Sequence, residues 1–248
     1  MAQLSGPEIK RQMGIPNPTN PDSKPNIIIT PFNEDYLGSN SYDLHLNSVL
    51  KVYADSLPRG LKPFIDISDK LDDNGNIDRS KLSMRDNFTS WRYYLKYLFV
   101  RSAYDNRNPR YFIDPFVKKK PTIDFEIPRG GALLLPGIGY LGSTEEYTET
   151  YRLFPYIDGK SSTGRNFIIN HHTAGRGDDG FCGNWTLEMQ FVYPTLIKPL
   201  MPIGQTYYEE FIGERKPYNT NPNSHYNGQS GATVAAELKV AEFGDKAK

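Results

Sequence analysis

Short runs of alternating apolar and polar residues recur along most of this chain. Thr122–Ile127, Gly131–Pro136, Tyr140–Thr144, Tyr151–Ile157, Asn166–His172, Trp185–Tyr193 and Gly204–Ile212 all carry strand composition. A period of two sends successive side chains to opposite faces, which is the signature of a half-buried strand. Asn26–Thr30 and Tyr42–Tyr53 read the same way, the second alternating at Leu44, Leu46 and Val52. Turn formers separate the runs: Pro128–Gly131, Pro136–Gly137, Asp158–Gly159, Gly175–Gly183 and Pro199–Pro202. Many short strands at regular spacing predict a mainly β protein, a distorted barrel or jelly roll. A helical pattern opens the chain over residues 3–14. Ser5 is placed as N-cap, Pro7 suits an early helical position, and Glu8 completes the capping-box spacing. Residues 17–25 read as a linker.

The rhythm breaks between residues 65 and 121. A polar, turn-rich piece (LDDNGNIDRSKLSMRD) is followed by an aromatic, basic one (TSWRYYLKYLFVRSAYDNR) read as an amphipathic helix. Strand composition resumes at Thr122, so 65–121 is expected to be an insertion within one domain spanning 1–248. The tail from Lys216 is polar and irregular before ATVAAELKVAEF.

Charge narrows the choice of partners. Lysine plus arginine and aspartate plus glutamate number 29 each. No global field then favours nucleic acid or a membrane surface, and an anionic ligand needs a local cluster. One cysteine, Cys182, excludes an intramolecular disulfide framework and fits a reducing compartment. With no signal-like leader and no apolar run of membrane-spanning length, the expectation is a cytoplasmic protein.

Chemistry concentrates between Asp158 and Met189. Gly159-Lys160-Ser161-Ser162-Thr163-Gly164-Arg165 combines glycines, consecutive hydroxyls and two cations, a set able to surround phosphate oxygens. Its order is not that of a Walker A loop. A polar turn with solvated charges explains the same residues, and composition alone leaves both readings open. Asp178-Asp179-Gly180 is a turn signal, with Asp178 also suited to accept from a sugar hydroxyl. His171 and His172, as neighbours on a strand, would point to opposite faces and could not share a metal. No zinc-deaminase arrangement and no G-x-S-x-G elbow is present. Glu188, inside the apolar run Trp185–Tyr193, is the odd residue: a carboxylate there is either solvated or held for chemistry.

Taken together these residues resemble the dCTP deaminase branch of the trimeric dUTPase superfamily. The family pattern G-R-S-S-x-x-R appears as Gly159–Arg165, and its T-A…D-x-G…T-L-E as Thr173-Ala174, Asp178, Gly180 and Thr186-Leu187-Glu188. Leu4–Met13, Gly38–Leu46, Glu126–Glu149, Pro202–Gln205 and Pro217–Ala232 are similar to further family segments, about two thirds of the chain in all. The resemblance implies a dUTPase-like, or β-clip, fold and deamination of dCTP to dUTP and ammonia without zinc, feeding dUMP and dTTP synthesis. It implies Glu188 as general base, a water held by the Ala174 carbonyl, and Ser161 and Arg165 beside the reacting edge. Lys160 and Ser162 would contact a Mg²⁺-bearing triphosphate, and Asp178 the 3′-hydroxyl. Tyr218 and Gln229 would come from a closing tail, with Thr173, Arg176, Thr186 and His225 also binding substrate. Sites would form between subunits of a homotrimer, with dTTP a candidate inhibitor. Lys160 replaces the family's arginine, and His225 stands where a tail lysine is expected. Three alternatives are a bifunctional enzyme yielding dUMP and pyrophosphate, a dUTPase, and a non-catalytic nucleotide-binding regulator whose surface would be Trp91, Tyr93, Tyr94, Tyr97 and Phe99.

Overall fold

A computed structural model describes residues 2–15, 24–57, 62–74, 76–81, 113–118 and 120–239. The aromatic stretch 89–107, read above as a helix, lies outside them. Helix α1 (Gly6–Gly14) begins where the capping residues place it: the Ser5 hydroxyl accepts from the Glu8 amide at 3.4 Å. A cap of this kind contributes about 1 kcal/mol. The reciprocal half of the capping box is absent, because the Glu8 carboxylate turns to Arg11 and Gln12 instead.

The rest is mainly β, the fold class the alternating runs predict. The strands are β1 (Ile27–Thr30), β2 (Tyr42–His45), β3 (Val49–Tyr53), β4 (Phe64–Asp66), β5 (Thr122–Glu126), β6 (Ala132–Leu134), β7 (Tyr140–Thr150), β8 (Leu153–Gly159), β9 (Ile168–Ile169), β10 (Cys182–Phe191), β11 (Thr195–Ile197) and β12 (Pro202–Glu210). A second helix, α2 (Ser161–Arg165), follows β8. They build one six-stranded sheet, ordered β5-β3-β7-β10-β9 with β1 also on β7, and two three-stranded sheets, β11-β6-β4 and β2-β12-β8. All the ladders are antiparallel.

Three differences from the sequence expectations have local causes. Tyr42–Tyr53 is two strands rather than one, since Leu46 leaves β2 to bridge Thr144 on β7. Ile65, the expected start of the insertion, sits in β4 and pairs with Leu133. Asn166–His172 keeps only two residues in a ladder, and both histidines fall in the loop after β9.

Leu44, Leu46, Leu50, Val52, Leu134, Leu187, Met189 and Tyr208 are fully buried and fill the space between the sheets. Gly142 on β7 makes that density possible. A Cβ there would lie 2.8 Å from Met189 Sδ and 3.0 Å from Leu50 Cδ2, so only glycine lets the core approach the strand this closely. A buried polar tie joins two sheets: Glu146 on β7 accepts from the His45 amide at 2.8 Å and meets His45 Nδ1 at 2.6 Å. Paired in this way, the carboxylate is tolerated at 2% exposure. The stiff β7-β10 ladder that results is the floor on which the site stands.

Candidate active site

Strand β10 has two faces. Trp185, Leu187, Met189 and Phe191 are buried in the core, while Asn184, Thr186, Glu188 and Gln190 alternate onto the other side and are half-buried. The odd glutamate is therefore on neither of the simple alternatives, core or open surface. It lines a cavity of about 840 Å³, together with Ala174, Arg176, Asp178, Thr186, Tyr218 and Gln229. Its backbone stands opposite Leu141 of β7. Among the described residues no hydrogen bond or ion pair engages its carboxylate, so the group is available to a ligand. Within the same residues no three His, Cys, Asp or Glu side chains come together as a metal site.

The tail forms one wall. Gln229 Nε2 donates to the Asn184 carbonyl at 2.6 Å, and the Asn184 amide donates to the Gln229 carbonyl at 3.1 Å. Gln229 Oε1 is buried and has no partner among the described residues. The Thr233 amide donates to the Thr186 hydroxyl at 3.0 Å. The Tyr218 hydroxyl accepts from the amides of His225 and Tyr226, both at 3.1 Å, and so shapes the turn that brings Gln229 back. Farther on, Ala235 donates to the Tyr53 hydroxyl, and Lys120 Nζ donates to the carbonyls of Val117, Ala235 and Ala236 at 3.0, 3.2 and 3.4 Å. Lys120 is 8% exposed, and carbonyl oxygens meet its three donors. The tail is thus clasped at both ends of the cavity.

Asp178 and Asp179 divide their labour. Asp178 is exposed on the cavity rim, whereas Asp179 is 3% exposed and structural. Asp179 accepts from the Arg152 amide at 2.6 Å and from Arg215 Nε at 2.7 Å. Its backbone carbonyl also takes the Tyr218 amide at 2.6 Å. Replacing Asp179 by alanine strands the Arg215 charge and the Arg152 amide. The expected loss is about 3 kcal/mol, read as a fall of roughly 6–12 °C in thermal midpoint for a chain of this size. An unchanged midpoint would contradict the anchoring role.

The phosphate-like cluster lies elsewhere. Ser161, Ser162 and Arg165 are exposed on α2, a helix rather than the turn their composition suggested, which packs against β9 and β12. Thr163 explains the helix. Its hydroxyl donates to the Lys160 carbonyl at 2.7 Å and accepts from the Lys160 amide at 3.1 Å. Lys160 Nζ is paired with Asp43 of β2. None of Lys160, Ser161, Ser162, Arg165, Thr173 or His225 lines this cavity.

Comparison with known proteins decides the family. A dCTP deaminase-like family model matches residues 96–211. The chain is 32% identical over 225 residues to a Clostridium beijerinckii protein named dCTP deaminase, dUMP-forming, covering 91% of this chain and 92% of that one. The chain belongs to the dCTP deaminase-like family. A Cytophaga hutchinsonii member of the same name is also 32% identical over the same shares. A Clostridium botulinum member, strain Eklund 17B, is 42% identical over 126 residues, 47% of this chain and 73% of that one.

Several cavity residues escaped the sequence reading. His172, taken for an ordinary strand histidine, lines the cavity from the loop after β9. Gln190 does so from the strand of Glu188, while Tyr53 and Tyr226 come from distant parts of the chain. Cys182, at the start of β10, is not a cavity residue. Burial holds its thiol above the usual pKa, and its sulfur lies 3.4 Å from the Tyr151 hydroxyl. Among the described residues, no helix is long and apolar enough to cross a membrane.

Proposed function

We propose that this family member deaminates dCTP hydrolytically, with Glu188 as the group that moves protons. Glu188 takes a proton from a water, and the hydroxide attacks C4 of cytosine. The proton is then delivered to the exocyclic nitrogen of the tetrahedral intermediate. The C4–N bond breaks, ammonia leaves, and the proton of the C4 hydroxyl passes to N3, so the ring is left with the C4 carbonyl and N3–H of uracil. One observation carries the reading: an unpartnered carboxylate on a rigid strand faces a cavity closed by the tail. Ala174 lines the same cavity, where its carbonyl would hold the water, and Asp178 is on the rim, where a sugar hydroxyl would meet it. Gln229 and Tyr218 put the tail against the cavity, where it would close over the nucleotide. Positioning supplies much of the rate in such a site. The chemistry needs no zinc, and Mg²⁺ enters with the triphosphate of the substrate.

Ser161, Ser162 and Arg165, outside the cavity of their own protomer, would serve a neighbour. The reading is therefore a homotrimer whose sites are completed across interfaces, in the cytoplasm where the nucleotide pool lies. Lys160, held by Asp43, is left a smaller part in phosphate binding than the sequence suggested.

The relatives named above are dUMP-forming, which favours a second step: loss of pyrophosphate, so that dCTP yields dUMP, pyrophosphate and ammonia. Incubating the protein with dCTP and separating the products tests both. We expect ammonia with dUMP and pyrophosphate. Ammonia with dUTP alone would leave deamination standing and remove the second step, and no ammonia would remove both.

A further inference from the structure

The row of side chains that carries Glu188 continues past it. Gln190 projects from the same face of β10 and lines the same cavity. On β7 the ladder runs Leu141 opposite Glu188, then Tyr140 opposite Met189. Gly139, the residue before Tyr140, lies one position beyond the last pair of that ladder, on the side toward Gln190. Gly139 also lines the cavity, and a Cβ built on it meets nothing within 4 Å. Its backbone is outside the left-handed region, so no turn geometry demands glycine here. Gly139 is exposed, so on its side of Gln190 the cavity is an open niche with no side chain in it. The wall of that niche is an amide with no hydrogen-bond partner among the described residues.

We propose that this niche receives a substituent on the base. The site would take deoxycytidine nucleotides bearing a small polar group on ring carbon 5, such as hydroxymethyl, with Gln190 as the specificity-determining contact. The inference rests on the deaminase reading and deepens it. Asp178 at the far end of the cavity sets the sugar there. C4, across the ring from the glycosidic nitrogen, then points to Glu188, and C5 is its neighbour. Alternate side chains on a strand stand about 7 Å apart, close to the span of two hydrogen bonds with an amine and an adjacent substituent between them. A carboxamide offers one donor set and one acceptor, the complement of a hydroxyl. A substituent on the amine itself fits less well, because Glu188 must reach that nitrogen to protonate it as it leaves.

A methyl group would occupy the space but leave the Gln190 amide unpaired. Pockets built to hydrogen-bond a hydroxyl reject its apolar analogue far better than an apolar pocket rejects one extra methylene. The unmodified protein should therefore favour 5-hydroxymethyl-dCTP over 5-methyl-dCTP.

Ammonia release from dCTP, 5-methyl-dCTP and 5-hydroxymethyl-dCTP tests this, using the full-length protein and the variants Gly139→Val and Gln190→Leu. The unmodified protein is expected to process the hydroxymethyl nucleotide at least as well as dCTP. Gly139→Val, which fills the niche, should lower the kcat/KM ratio of hydroxymethyl to plain substrate by about tenfold or more. Gln190→Leu should lower the ratio of hydroxymethyl to methyl substrate. Rejection of 5-hydroxymethyl-dCTP by the unmodified protein overturns the niche even if neither variant folds. Equal loss on all three nucleotides in folded variants overturns it as well. In both cases dCTP turnover leaves the deaminase reading intact, whereas silence with all three nucleotides removes that reading and the niche together.

Discussion

In the proposed homotrimer, the variants Glu188→Gln and Arg165→Ala, each inactive alone, are expected to restore deamination when combined in one ring. Within a protomer Glu188 lines the cavity while Arg165 is exposed on α2, outside it. If each site takes Glu188 from one copy and Arg165 from the next, the interface is heterologous. Every mixed ring of three then contains one site with both native residues. Random assembly makes three quarters of the rings mixed, so about a quarter of native activity should return. Each variant alone should lose at least about a hundredfold, the scale of one lost charge-stabilising contact. Co-expression with two tags isolates the mixed rings, in which the expected return rises to about a third of native activity. Silence in verified mixed rings would show that Glu188 and Arg165 serve the site of the same protomer. Native activity from Arg165→Ala alone would show that the cavity is complete without a neighbour.

Glu188→Gln is the second large effect. The amide keeps the shape and the hydrogen-bonding reach of the carboxylate but cannot accept a proton from water. General acid–base work of this kind contributes on the order of 10²–10⁴ in rate. Because the side chain is half-buried on the cavity face, the swap disturbs neither the core nor an internal ion pair. The expected signature is a kcat lowered by at least about a hundredfold, with dCTP binding within a few-fold of native and an unchanged thermal midpoint. A variant that fails to bind would assign Glu188 to nucleotide recognition instead.

How far the sequence discloses this molecule depends on the distance over which each feature is encoded. Alternation within β8, β10 and β12 is local, and those strands appear within two or three residues of where the pattern puts them, whereas β7 runs on from the expected Tyr140–Thr144 to Thr150. The Ser5 cap is equally local. Strands β4 and β11 have three residues each, too few for an alternation to show, and exist because β6 pairs with both. The hydroxyl run 161–165 has poor helical composition, with Gly164 in its middle. The Thr163 hydroxyl and packing on β9 and β12 override that tendency. His171 and His172 were misplaced because Asn166–His172 looks like one strand, whereas β9 ends at Ile169.

The site divides along the same line. Glu188 stands out in the sequence because an acid interrupts an apolar run. Asp179 does not, since a turn aspartate and a buried anchor have the same composition around them. The closing wall is legible least of all. Ala235 meets Lys120 and Tyr53 from 115 and 182 residues away, and no spacing announces it. Gly139 is similar: only the folded structure shows that it lines the cavity and leaves open space where a side chain would be.

The proposal that a carboxylate rather than a bound transition metal drives the reaction has one direct measurement. Ammonia release from dCTP should proceed at full rate in protein stripped of zinc and resupplied with Mg²⁺ alone. A rate lost on stripping, and recovered only when zinc is returned, would contradict it.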